Sequence, residues 1–87
     1  MRDYARLSQA ERDAFREARK QFVDDLRSRR GFRPGLRVKG VQGALGVYEM
    51  TWAGDGRATW QYGPTQIPGE THIVWRRIGT HDIFKQP

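Results

Sequence analysis

An α+β fold, with an N-terminal helical layer packed on one face of a small antiparallel sheet of about four strands, is predicted by three observations. A capped, amphipathic helical pattern begins at Ser8. Segments alternating with period two fill most of the second half. The order is helix first and strands after, without the strand–helix alternation that marks a parallel sheet. At 87 residues the chain has the length of a single domain, 1–87, built on one core.

The helix is read from "LSQAERDAFREARKQFVDDLRSRRG". Ser8 and Glu11 form a capping box, in which hydroxyl and carboxylate each satisfy an orphan backbone N–H. Phe15, Ala18, Phe22 and Leu26 recur at spacings of three and four, and Val23 widens that apolar stripe. Gly31 is the expected stop. "RDYARL" before it is expected to form a brief strand or a short helix.

Pro34-Gly35 marks a turn ahead of a short strand around Leu36–Val41. "GVYEMTW" and "RATWQY" then alternate as a hairpin, joined through "AGDG", where Gly54 and Gly56 are expected to supply positive φ and Asp55 to serve as a turn residue. "GPTQIPGET" is a loop and "HIVWRRI" the last strand. His72, at its start, is expected to be solvent-exposed. Tyr48, Met50, Trp52, Trp60 and Tyr62 should face the helix. Glu49, Thr51, Arg57, Thr59 and Gln61 form a polar face that nothing is expected to cover. Strand alternation puts Arg76 and Arg77 on opposite faces, so at most one of them serves that surface.

Charge narrows the partners. The formal net charge is +6, with 16 basic and 10 acidic side chains. Residues 1–26 are balanced, so the excess lies in residues 27–87, and Arg27, Arg29, Arg30, Arg33, Arg37 and Lys39 follow one another with no acid between them. Most of the basic residues are arginine, whose planar fork grips two oxygens of a phosphate. A polyanion or an acidic protein is the expected partner. With no cysteine and only two histidines, disulfides, thiol catalysis and metal sites are not expected, nor is any cofactor. No 18-residue apolar run suggests a membrane span and no leader pattern opens the chain, so a soluble cytoplasmic protein is expected.

No phosphate-binding glycine loop, nucleophile elbow or catalytic carboxylate pair is present. What remains is Arg57, one of Arg76 and Arg77, Glu49 and His81, with Trp75 positioned to stack on a base. Cleavage of RNA beside a 2′-hydroxyl needs such parts: a base for the 2′ proton, cations for the charge growing on phosphorus oxygens, and an acid for the departing 5′ oxygen. His81 suits acid or base chemistry because histidine titrates near neutrality, with Glu49 as the opposite partner. Asp82 is the neighbour expected to orient His81.

"FRPGLRVKGVQGALGVYEMTWAGDGRATWQYG" followed by "HIVWRRIGTHDIF" resembles the RelE superfamily of toxin–antitoxin toxins. The likeness covers about residues 8–87 and consists of short motifs on a matching order of elements. It implies a RelE-like fold and a cytoplasmic, metal-independent endoribonuclease that cuts messenger RNA on the ribosome, blocks translation and is neutralised by an acidic antitoxin, the free toxin being monomeric. Arg57 matches the family's phosphate-binding arginine, and Arg76 or Arg77, with Arg77 the catalytic candidate, is expected to join it in stabilising charge at the scissile phosphate. Arg37 and Lys39 fall on the basic strand that contacts RNA in relatives, and Arg76 is a further candidate for RNA binding. The Gly-x-His ending resembles the YafQ branch, with His81 as its terminal histidine and Phe84 as the aromatic that orients the base. The lysine pair of RelE itself falls here on Glu49 and Thr51, so a histidine-assisted variant is expected. Two other readings remain open: a non-catalytic ParE-type inhibitor of DNA gyrase, and a non-catalytic RNA-binding module.

Overall fold

In the computed structural model, which describes residues 2–87, the chain begins with a short helix α1 (Arg2–Arg6) and turns directly into α2 (Gln9–Ser28). Ser8 caps α2 as its sequence requires. The Glu11 N–H donates to Ser8 Oγ at 3.1 Å, and the Ser8 N–H donates to Glu11 Oε1 at 2.8 Å. That bonding from Ser8 holds the Glu11 carboxyl below its ordinary pKa. The helix ends at Ser28, ahead of the expected glycine, because Arg29 takes the left-handed conformation (φ 58°) at the cap. Asp25 fixes the exit: its carboxylate accepts from the Arg33 backbone N–H at 2.9 Å and from the Arg33 guanidinium at 2.8 and 2.9 Å.

A 3₁₀ turn (Pro34–Leu36) follows, and the strand expected over Leu36–Val41 shrinks to β1 (Lys39–Gly40). Arg37 closes the 3₁₀ turn in the left-handed region (φ 48°, ψ 47°), a conformation no strand residue adopts. The sheet continues with β2 (Tyr48–Thr51), β3 (Arg57–Tyr62) and β4 (Ile73–Gly79), all antiparallel in the order β1-β2-β3-β4. Register is unbroken across β1, β2 and β3 and shifts once between β3 and β4. Lys39, Glu49, Thr59 and Arg77 form one transverse row; Met50, Ala58 and Ile78 form the next, and Thr51, Arg57 and Gly79 the one after it.

The β2–β3 turn differs in mechanism from expectation. Neither Gly54 nor Gly56 has positive φ. Gly56 is required for space, because a Cβ there would stand 2.5 Å from the Trp52 indole. Trp52 also ties the turn, donating from Nε1 to the Arg57 carbonyl at 2.9 Å.

The helix-facing side of the sheet meets α2 as the alternation demands. Phe15, Ala18 and Phe22 form one core with Leu36, Met50, Trp52, Ala58, Trp60 and Ile78. Trp60 is fully buried, and Phe22 meets it edge-on at 4.7 Å between ring centroids. Burying an aromatic of that size contributes roughly 4–6 kcal/mol of transfer free energy. Tyr62, at the open end of β3, stays exposed although it faces the helix side.

The opposite side is not open. After β4 the chain makes a second 3₁₀ turn (His81–Lys85) that folds back over the polar face. Ile83 is buried there, against Gly79, and Thr59 is fully buried beneath this layer. The expectation of an uncovered face is thereby corrected: the last seven residues fold back on the sheet, with Ile83 buried among them.

A β-bulge changes the arginine pair. The register shifts between Thr59 and Trp60, so that Thr59 pairs with Arg77, Trp60 with Trp75, and Arg76 is extra. Thr59 Oγ1 accepts the Arg77 N–H at 3.1 Å in place of a ladder bond. The extra residue cancels the alternation, and both arginines reach the polar side. Arg76 donates to Gln61 Oε1 and, at 3.0 Å, to the Pro87 carbonyl, while Arg77 donates to the Gln86 carbonyl at 3.0 Å. No helix among the described residues is long and apolar enough to cross a membrane.

Candidate functional site

The β2–β3 turn and the 3₁₀ turn that follows β4 carry three of the residues the sequence singles out, Arg57, His81 and Phe84, together with Asp55. His81 opens the 3₁₀ turn, which Thr80 caps by accepting the Asp82 N–H. Its Nδ1 lies 2.6 Å from Asp55 Oδ1, at the tip of the β2–β3 turn. An ionised carboxylate only accepts, so Nδ1 is the donor in this contact, and Nε2, the other ring nitrogen, bonds to no described residue. Phe84, one 3₁₀ turn on, meets the imidazole edge-on at 5.6 Å. Both members of the pair are largely exposed, at 59% and 65% of their side chains, and thus open to a polymer ligand.

Arg57 sits on the same turn. Its Nη1 donates to the carbonyls of Ala53, Gly54 and Gly56 at 3.5, 3.2 and 2.9 Å. Three acceptors on one nitrogen clamp the guanidinium to the turn. Nε and Nη2 donate to no described residue, which leaves a two-pronged edge of the kind that meets a phosphate. One hairpin turn therefore holds the arginine through its carbonyls and the histidine through its carboxylate.

The remaining expected residues lie elsewhere. Glu49 stands two transverse rows from Arg57, its carboxylate 3.9 Å from Lys39 Nζ on β1. It belongs to that edge and not to the His81 pair. Arg77 is engaged on every side: Nε and Nη2 donate to Asp3 at 2.7 and 3.4 Å, and Nη1 donates to Gln86. It holds α1 and the tail onto β4, which leaves none of its guanidinium nitrogens without a partner for the phosphate role expected of it. Asp3 also accepts the Ile78 N–H at 3.0 Å, which covers the β4 edge. Burial works to raise the Asp3 pKa, but hydrogen bonds from Arg77 and Ile78 and the charges of Arg77 and Arg6 outweigh it and leave the carboxyl below its ordinary value. The hydrogen bond that Arg77 donates to Asp3 correspondingly raises the Arg77 pKa.

Trp75 faces α2 and packs edge-on against Phe15 at 5.6 Å and against Trp60 at 5.9 Å. The base-stacking role expected of it becomes a packing role, because β4 directs it to the helix side. Arg76 is exposed but bonded to Gln61 and Pro87. Arg37 is exposed at the lip of a groove beside Arg57. His72 is half-buried, its Nδ1 within 3.0 Å of the Pro64 carbonyl, where full exposure was expected.

Asp55 is the residue sequence reasoning passed over. Its place in "AGDG" accounts for it as turn chemistry, and nothing in the local pattern signals a partner 26 residues away. Asp82, the expected orienter, is exposed and contributes its backbone N–H to the Thr80 cap. Among the described residues no group of three or more His, Asp or Glu side chains is arranged to hold a metal ion.

Comparison of the chain with protein-family models, with curated proteins and with solved structures finds no match.

Proposed function

We propose that the chain is a RelE-like toxin, a ribosome-dependent endoribonuclease that cuts messenger RNA, stops translation in the cytoplasm and is neutralised by an acidic antitoxin. The observation that carries this reading is the 2.6 Å contact between His81 Nδ1 and Asp55 on an exposed surface beside Arg57. An orienting carboxylate, an imidazole and a clamped guanidinium are the parts that 2′-hydroxyl attack requires.

His81 Nε2 takes the 2′ proton as the 2′ oxygen attacks phosphorus. The P–O5′ bond breaks, and the products are a 2′,3′-cyclic phosphate and a 5′-hydroxyl. Asp55 holds the tautomer and steadies the imidazolium that forms. The free edge of Arg57 binds the non-bridging oxygens as their charge grows. Phe84 borders the imidazole and offers an apolar edge to the base. The decoding site or solvent supplies the proton for the 5′ oxygen, since Glu49 is directed to Lys39. The excess basic charge, confined to residues 27–87, draws the polyanion to this half of the molecule.

The ends of the RNA fragments test the chemistry. Messenger RNA cut in a translating mixture should carry 2′,3′-cyclic phosphate and 5′-hydroxyl termini. Fragments ending in 3′-hydroxyl and 5′-phosphate would exclude 2′-hydroxyl attack.

A further inference from the structure

A pocket of about 280 Å³ opens where α1 and α2 meet β4. Tyr4 of α1, Phe15, Arg16 and Arg19 of α2, and Trp75 and Ile78 of β4 line it. It lies on the flank of α2 opposite the groove beside Arg57, which takes Ala14, Glu17 and Gln21 from the helix. Helical spacing creates it. Phe15 belongs to the buried stripe, while Arg16 and Arg19, one turn apart, stand side by side at its margin. Phe15 and Ile78 are buried and make the floor. Phe15 meets Tyr4 edge-on at 6.1 Å and Trp75 edge-on at 5.6 Å, so three rings wall one space. Tyr4 and Trp75 are only half-buried, each packed on the core by one part and bordering the pocket with another.

The polar lining is one-sided. Arg16 and Arg19 are exposed and donate to no described residue. Their neighbours are engaged: Arg12 donates to the Tyr4 and Ala5 carbonyls, and Arg77 to Asp3. The Tyr4 hydroxyl also bonds to no described residue. No carboxylate or side-chain amide lines the pocket, and Asp13, the acid one turn before Arg16, accepts instead from Gln9.

These features define a ligand. Its polar end must carry negative charge and accept hydrogen bonds, which two unpartnered guanidinium groups supply. Its body must be flat and apolar, because edge-to-face contacts with three rings favour a further ring. The volume lies just under the roughly 300–1,000 Å³ of small-molecule sites, enough for a ring and its head group but short for a long acyl chain. A nucleobase fits poorly, since its N–H groups would find no acceptor but the Tyr4 hydroxyl. We propose that this pocket binds a small aromatic acid, with its ring among Tyr4, Phe15 and Trp75 and its carboxylate or phosphate held by Arg16 and Arg19. The site is separate from Arg57 and His81 and does not depend on the nuclease reading. Because α1 is one of its walls, a bound acid ties α1 to α2 and β4 and stabilises the folded chain.

Trp75 reports occupancy. Its indole N–H resonance, assigned with Trp75→Phe, is followed by NMR while phenylacetate, phenyl phosphate, benzyl alcohol, benzylamine and acetate are titrated in turn at constant ionic strength. The expected result is a saturable shift with at least one of the two aromatic acids at about millimolar concentration, the tighter of them naming the head group. Benzyl alcohol, benzylamine and acetate should give little shift at the same concentrations. Arg16→Gln and Arg19→Gln should each weaken the acid by about threefold to tenfold. Lys20→Gln removes the same charge from α2 outside the pocket and should leave binding unchanged. All three side chains are exposed, so melting temperatures within a few degrees of wild type control for folding. Benzyl alcohol or benzylamine binding as tightly as the acids would remove the anion from the proposal, and acetate doing so would remove the ring; either overturns it. Equal weakening by Lys20→Gln would reduce the effect to general attraction by a basic protein and overturn it too. So would the absence of a saturable shift with either acid up to about tenfold above millimolar.

Discussion

His81 and Asp55, far apart in sequence, meet through a 2.6 Å contact that closes the end of the sheet carrying Arg57. Each residue stands on a different rigid support, a capped 3₁₀ turn and a hairpin turn tied by Trp52. If Asp55 positions His81, Asp55→Ala should slow cleavage by about tenfold to a hundredfold, and His81→Ala by about 10²–10⁴-fold. Asp55→Glu, which restores a carboxylate, should recover part of the loss. Both side chains are exposed, so melting temperatures should stay within a few degrees of wild type while single-turnover rates separate the variants.

Acid stability should depend on Asp3. Its pKa is depressed in the folded chain, whereas an unfolded aspartate titrates near about 3.9. The stabilisation it provides is complete above the unfolded value and is lost as pH falls through the lower folded one. Asp3→Asn should therefore cost about 2 kcal/mol near neutrality, where the Arg77 and Ile78 bonds are made, and progressively less below pH about 4. Urea midpoints of the two proteins at several pH values measure this. A difference that stays constant into acid would disprove the assignment.

Gly56→Ala should destabilise the fold by about 1–3 kcal/mol, because the new methyl has the rigid Trp52 indole in its way. Gly54→Ala, in the same turn, meets nothing within 4 Å and should be close to neutral. Thermal unfolding of the pair separates a demand for space from a demand for flexible backbone.

Ile83→Ala probes the tail that covers the polar face. Ile83 is 5% exposed, and truncating a buried isoleucine costs about 2–5 kcal/mol. Loss of that anchor should also raise amide exchange at His81 and Phe84, which depend on the same turn for their positions. Unchanged exchange there would mean that the tail is held by Arg76 and Arg77 alone.

Local signals carried much of this structure into the sequence. Ser8 with Glu11, the Phe15–Ala18–Phe22 spacing and the alternation around Trp60 depend on near neighbours, and each element formed where its pattern lay. What escaped notice depends on chemistry between distant segments. The bulge that turns Arg76 and Arg77 to one side follows from Thr59 accepting an N–H across the sheet, which no alternation count registers. The short β1 follows from Arg37 closing a 3₁₀ turn, and Pro34-Gly35 was the cue for a turn without giving its length. In the candidate site, Arg57, His81 and Phe84 were legible as residue types that bind phosphate, move protons and stack. Asp55 was hidden by an adequate local explanation, and Arg77 was misassigned because its partner, Asp3, lies at the other end of the chain.

The most direct measurement is primer extension on a messenger RNA in a reconstituted translation mixture, with and without ribosomes, for wild type, Arg57→Ala, His81→Ala and Asp55→Ala. The expected result is cleavage by wild type that requires ribosomes, disappears with Arg57→Ala and His81→Ala, and persists weakly with Asp55→Ala. Intact messenger RNA in the presence of folded wild-type protein, or equal cleavage by all four proteins, would contradict it.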